Sequence, residues 1–225
     1  MNFQPIKFAA ISALKQNLKP GLVLQTFAGI IVALYFFVPA AKPIFDLFGN
    51  LKQQHGWLYS AVSTSIFGGL IPFIYLYVSR SFKPDQPIRI VFWFYVIYWA
   101  LKGIEVDYFY QFQSVLFGSE TDFKTLATKV LFDQFVYSAL WAAPSISIIY
   151  LWIENNFNWQ ATRKGMDKQF FTVTLPANII SNWLVWLPAV SFIYCMPSNL
   201  QIPLFDLVLC FWVLILAVLN KKQSK

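Results

Sequence analysis

The sequence predicts an all-α fold, a polytopic bundle of about six kinked transmembrane helices. Three observations predict it. Hydrophobic residues make up 58% of the 225 residues and charged residues only 12%, against about 45–50% and about 25% in soluble domains. Aromatic residues alone reach 20%, more apolar mass than a soluble globule of this size keeps from water. The apolar residues also fall in runs close to the roughly 20 that a membrane helix needs, far longer than the strands of a barrel. Low hydrophobicity, the signature of disorder, is absent.

Six runs follow in order. The first, 21–39, is opened by Pro20 and closed by Pro39 and Pro43; it lacks a small-residue cleavage site and reads as an uncleaved span. The second, 57–78, holds Gly68, Gly69 and Pro72. The third, 88–103, is short and heavily aromatic. The fourth, 126–153, has Pro144 near its middle. The fifth, 176–196, contains Pro188, and the sixth is 202–219. Each internal proline removes a backbone hydrogen bond and frees a carbonyl, so kinks are expected at Pro72, Pro144 and Pro188. The stretch 104–122 reads as an interfacial insertion, since its apolar, aromatic run 108–118 is only 11 residues long and too short to span. The whole chain, 1–225, reads as one integral membrane domain.

Charge gives the topology. If all six runs cross, one side collects Lys7, Lys15, Lys19, Arg80, Lys83, Arg89, Arg163, Lys164, Lys168, Lys221, Lys222 and Lys225, twelve in all. The other collects five: Lys42, Lys52, Lys102, Lys124 and Lys129. Without the third crossing the sums become nine and eight. Basic residues concentrate in cytoplasmic loops, so the six-span arrangement is favoured, with both termini in the cytoplasm. The net charge of +7 is thus a topology signal. No dense basic block with interleaved aromatics occurs, so nucleic acid is not an expected partner.

Charges and amides inside apolar runs need a reason, since a charge at the centre of a span costs about 2.5–3.5 kcal/mol on insertion scales. Lys129 and Asp133 lie one turn apart and are expected to pair, with Gln134 beside them. Asn178, Asn182 and Trp186 recur every four residues and share a helix face, suited to bonding between helices or to lining a pathway. Asp206 is placed near the start of the sixth run, where a helix N-terminus favours negative charge. Lys102, Glu105 and Asp107 read as a solvated patch at the outer end of the third run. Cys195 and Cys210 read as buried small hydrophobes. The lone His55 reads as a loop residue without metal-binding partners. No catalytic constellation or cofactor motif is visible, and neither an enzyme nor a cofactor is expected.

Lys129-Val-Leu-Phe-Asp133-Gln134 resembles a lysine-x-leucine-x-aspartate-glutamine motif of the Mpv-seventeen/PMP-twenty-two family of peroxisomal and other organelle membrane proteins. Asn182-Trp183-Leu-Val-Trp186-Leu-Pro188, running on to Phe192 and Pro197, is similar to that family's C-terminal signature, and Trp212 to its tryptophan-containing end. The likeness covers about 129–221. It departs at Leu187 between Trp186 and Pro188, at Ser191, and around Pro72, Tyr75 and Tyr77, while 81–122 looks like an insertion. The resemblance implies a distant, bacterial relative of a family associated with pore formation and small-solute homeostasis. It singles out Asp133, Gln134, Asn182, Trp186 and Pro188.

The expected function is a multi-pass membrane protein of the bacterial cytoplasmic membrane that forms or gates a path for small solutes or ions. Its partners are the lipid bilayer and a second copy of the chain. The alternatives are a non-transporting membrane scaffold, and an organelle membrane as the location.

Overall fold

In a computed structural model of the chain, residues 4–223 are described. Met1, Asn2, Phe3, Ser224 and Lys225 lie outside them, as do the side chains of Lys7, Lys221 and Lys222. Every described element is helical. In order they are α1 (Gln4–Phe37), a 3-10 turn (Pro39–Ala41), α2 (Lys42–Thr64), a π-helix (Ser65–Leu70), α3 (Ile71–Val78), α4 (Ile88–Phe117), α5 (Phe123–Phe132), a π-helix (Asp133–Ala142), α6 (Ala143–Glu154), α7 (Trp159–Gly165), a π-helix (Phe170–Thr174), α8 (Leu175–Tyr194) and α9 (Ser198–Gln223). Two compact units result, both discontinuous in sequence. Unit 1 comprises 1–23 and 130–188; unit 2 comprises 24–129 and 189–225.

Among the described residues, four helical stretches are long and apolar enough to cross a membrane: Asn17–Phe37, Pro39–Val78, Phe123–Glu154 and Phe170–Tyr194. They contain the second and fourth expected spans and most of the first and fifth. Their outward surfaces carry Leu140, Trp141, Ile74 and Phe171 exposed, the apolar covering that lipid solvates. Ser198–Leu214 is apolar but shorter.

The third expected span does not end at Gly103. α4 continues without a break to Phe117, so most of 104–122 is helix continuous with 88–103. At 1.5 Å per residue its 30 residues reach about 45 Å. The helix has no need to stop at its charged patch, because Lys102 and Asp107 are buried and paired. The second helix likewise starts earlier than expected. α2 runs from Lys42, bends at Gly56 (φ 52°, ψ −128°) and only then enters the expected span. His55 is the exposed residue before that bend, within helix rather than loop.

The prolines act through the turns ahead of them. Each of the three π-helices lies just before a proline: Ser65–Leu70 before Pro72, Asp133–Ala142 before Pro144, Phe170–Thr174 before Pro176. Proline lacks the N–H and its ring crowds the carbonyl four residues back, so the preceding turns widen to the i→i+5 pattern. Pro188, by contrast, sits inside an uninterrupted α8. Asp122 caps α5, its Oδ1 accepting from the amides of Lys124 and Thr125 at 3.0 and 3.2 Å. The Thr125 side chain and these amides hold its carboxyl below the usual carboxylate range. The cap is therefore complete above that range and is lost as pH falls through the lowered value.

In unit 2, α2 packs against α4 and α9, with Val91, Tyr95, Trp99, Val208 and Leu209 in the core. Two glycines set the approach. A Cβ on Gly103 would stand 2.2 Å from the Ser60 carbonyl and 2.6 Å from Thr64 Oγ1; one on Gly69 would stand 2.9 Å from the Tyr95 carbonyl. Gly103→Ala thus lowers thermal stability of the purified protein by about 1–3 kcal/mol through overpacking. Gly29→Ala, whose Cβ meets only Phe192 at an ordinary 3.5 Å, leaves it within about 0.5 kcal/mol. Equal unfolding midpoints for the two variants refute this packing account.

Candidate functional site

Unit 1 brings together two motifs about fifty residues apart in sequence. The π-helix Asp133–Ala142 buries Asp133, Gln134 and Ser138. α8 packs its polar face there: Asn182 Nδ2 donates to Ser138 Oγ at 3.0 Å and Trp183 Nε1 to the Gln134 carbonyl at 2.8 Å. That carbonyl sits in the widened helix ahead of Pro144, where backbone oxygens are loosened from the regular ladder. Gln134 Nε2 donates to Asp133 Oδ1 at 2.8 Å, leaving Gln134 Oε1 buried without a hydrogen-bond partner. Ser181 accepts from Asn17, which ties α1 to α8.

One turn before Asn182, Asn178 reaches the wall of an open cleft of about 560 Å³. α6 supplies Ser147, Tyr150 and Glu154; the segment from α7 into the third π-helix supplies Asp167, Gln169 and Phe170; Thr174 and Asn178 complete it. Its polar groups are hydroxyls, amides and the carboxyls of Glu154 and Asp167, with no Lys or Arg on the lining. Asp167 is partly engaged, accepting from the Phe170 amide at 2.8 Å.

Unit 2 holds a second polar cluster, which the sequence reading did not assemble. Lys52 Nζ lies 3.0 Å from Asp107 Oδ2 and also donates to the Gly56 carbonyl at 3.2 Å. It thereby serves both the ion pair and the backbone at the bend in α2. Asp107 further accepts from Ser60 (2.9 Å) and Gln111 (3.1 Å), so both its oxygens are bonded. One turn along α2, Thr64 Oγ1 donates to Asp206 Oδ1 at 2.6 Å. Glu105 binds Lys102 at 2.7 Å.

Several expectations change. Lys129 and Asp133 each take another partner. The Lys129 ammonium donates to Ser114 at 3.2 Å and stands 5.9 Å from the centroid of the Tyr194 ring, a cation–π distance. Asp133 meets Gln134. Lys102 and Asp107 are not a solvated cap, and Lys52 is not a loop residue: all three are under 9% exposed. Their mutual neutralisation explains this, since a buried charge without a partner is untenable. Asp206 is not near a helix start. α9 begins at Ser198, more than two turns earlier, and Asp206 is 1% exposed. Trp186 is buried in α8. Cys210 is buried and Cys195 half-buried, both free. No local pattern signals the Lys52–Asp107 pair: Lys52 follows Asn50 and precedes Gln53 and Gln54, and Asp107 stands beside Glu105, so both neighbourhoods read as solvated.

No protein-family model, curated protein or solved structure matches the chain.

Removing one partner of the buried pair strands the other. Lys52→Ala lowers the unfolding free energy by about 3–5 kcal/mol, and the double variant Lys52→Met/Asp107→Leu recovers most of it. Chemical denaturation in detergent micelles measures both. A double variant no more stable than Lys52→Ala contradicts this account.

Proposed function

We propose that the chain is a multi-pass integral membrane protein that forms or gates a pathway for small polar solutes, entered through the cleft of unit 1. The observation that carries this reading is the junction of the two distant motifs: Asn182 and Trp183 bond to Ser138 and to the Gln134 carbonyl. Along the same face of α8, Asn178 lines the cleft one turn away. The amides and hydroxyls of the cleft offer donors and acceptors to a solute leaving water. The cleft's two carboxyls without a basic residue favour neutral or cationic solutes over anions. Asp133, Gln134, Asn182, Trp186 and Pro188 are also the positions singled out by the likeness to the Mpv-seventeen/PMP-twenty-two family.

In this reading α4 and α9 also cross, giving six spans with both termini in the cytoplasm of a bacterial cell. The cleft then opens toward the cytoplasmic loop that carries Arg163, Lys164 and Lys168. In a chain with Cys195 and Cys210 replaced by Ala, an impermeant thiol reagent applied to intact cells labels Glu120→Cys and not Lys164→Cys. The reverse pattern inverts the topology.

Proteoliposomes measure the function directly. Flux of small neutral and cationic solutes exceeds that of protein-free vesicles. Asn178→Leu, on the exposed wall of the cleft, changes flux or selectivity severalfold while the unfolding midpoint stays put. Flux no greater than in empty vesicles discards the pathway and favours the scaffold reading.

A further inference from the structure

The Asp206 carboxyl is the least satisfied charged group described in unit 2. It is 1% exposed, Thr64 Oγ1 bonds its Oδ1 at 2.6 Å, and its Oδ2 has no hydrogen-bond partner. Ser63, on the same stretch of α2, stands beside this carboxyl, yet Ser63 Oγ is buried and also makes no bond within hydrogen-bond geometry. Two adjacent orphaned oxygens, one of them carrying a negative charge when ionised, are an unstable arrangement in an apolar interior. Every other buried carboxylate described in the unit is neutralised: Asp107 has Lys52. Among the described residues no Lys, Arg or His forms an ion pair with Asp206.

We propose that Asp206, Ser63 and Thr64 form an exchangeable site for a small monovalent cation, a proton or a sodium ion, held between α2 and α9. A proton on Oδ2 turns it into a donor facing the Ser63 oxygen. A sodium ion takes Oδ2 and the two hydroxyl oxygens as hard ligands. One carboxylate and two hydroxyls supply a single negative charge, which suits a monovalent ion better than a divalent or thiophilic metal.

The described surroundings leave the Asp206 charge without a counter-charge. Tyr59 on α2 and Cys210 on α9 are the titratable groups that sense the Asp206 charge. The Lys52–Asp107 pair joins α2 to α4 and the Lys102–Glu105 pair lies on α4, each already internally balanced. The π-helix Ser65–Leu70 and α3 bring no charged side chain. Ser60, bonded to Asp107 one turn before Thr64, continues the line of polar groups toward the exposed Gln111, which also bonds Asp107. The site lies wholly within unit 2 and is independent of the solute pathway proposed for unit 1.

The test uses the full chain in lipid vesicles. Infrared spectra at neutral pH show the deuterium-sensitive carbonyl stretch of a protonated carboxyl if the cation is a proton. Thermal unfolding at alkaline pH shows a higher midpoint in sodium chloride than in choline chloride if sodium binds. Either signal supports the site, provided that Asp206→Asn abolishes it. Should Asp206→Asn fail to fold, Asp206→Glu displaces the infrared band and Ser63→Ala reduces the sodium-dependent shift. Absence of both signals in the wild-type protein overturns the proposal, as does a signal that persists unchanged in every folded variant.

Discussion

An ammonium group and a carboxylate removed from water have to find each other, and in unit 2 the pair that does so joins Lys52 to Asp107 at 3.0 Å. Much of the local architecture follows from that requirement. α2 breaks at Gly56, and the freed carbonyl is taken by the same ammonium. α4 carries Asp107 inward because it does not stop at Gly103, and Gly103 lets its backbone pass against Ser60 and Thr64. Ser60 then completes the carboxylate's bonds. Bend, helix length, close approach and hydroxyl ladder are one solution to one electrostatic demand.

A second constraint, the missing N–H of proline, organises the other polar groups. Each π-helix lies just ahead of a proline. In unit 1 the widened turns before Pro144 present the Gln134 carbonyl to the Trp183 indole and Ser138 to Asn182. One π-helix thus carries both the carbonyl and the hydroxyl that α8 bonds. Pro188 leaves α8 unbroken, so a proline's position relative to its packing neighbours, and not its presence alone, decides whether the helix yields.

The helical class and the four apolar stretches long enough to cross a membrane were legible in the sequence, since run length and composition suffice for both. The shared face of Asn178 and Asn182 was legible too, from a spacing of four. What they touch was not. Lys129 and Asp133 sit one turn apart, which suggested a pair, yet Lys129 bonds Ser114 and Asp133 accepts from Gln134. Local spacing proposes contacts, while competition among all available partners disposes of them.

The sequence by itself determined how much apolar surface the chain carries and that its long apolar runs are helical, because these depend only on residue type and short-range order. The tertiary structure alone decided that Lys52 and Asp107, fifty-five residues apart, neutralise each other, that α4 runs unbroken through its charged patch, and that Asp206 is left beside Ser63 with an unbonded oxygen. The physical reason is that a charge in a low-dielectric interior is settled by whichever groups the fold brings within about 3 Å, a distance that no pattern along one helix specifies.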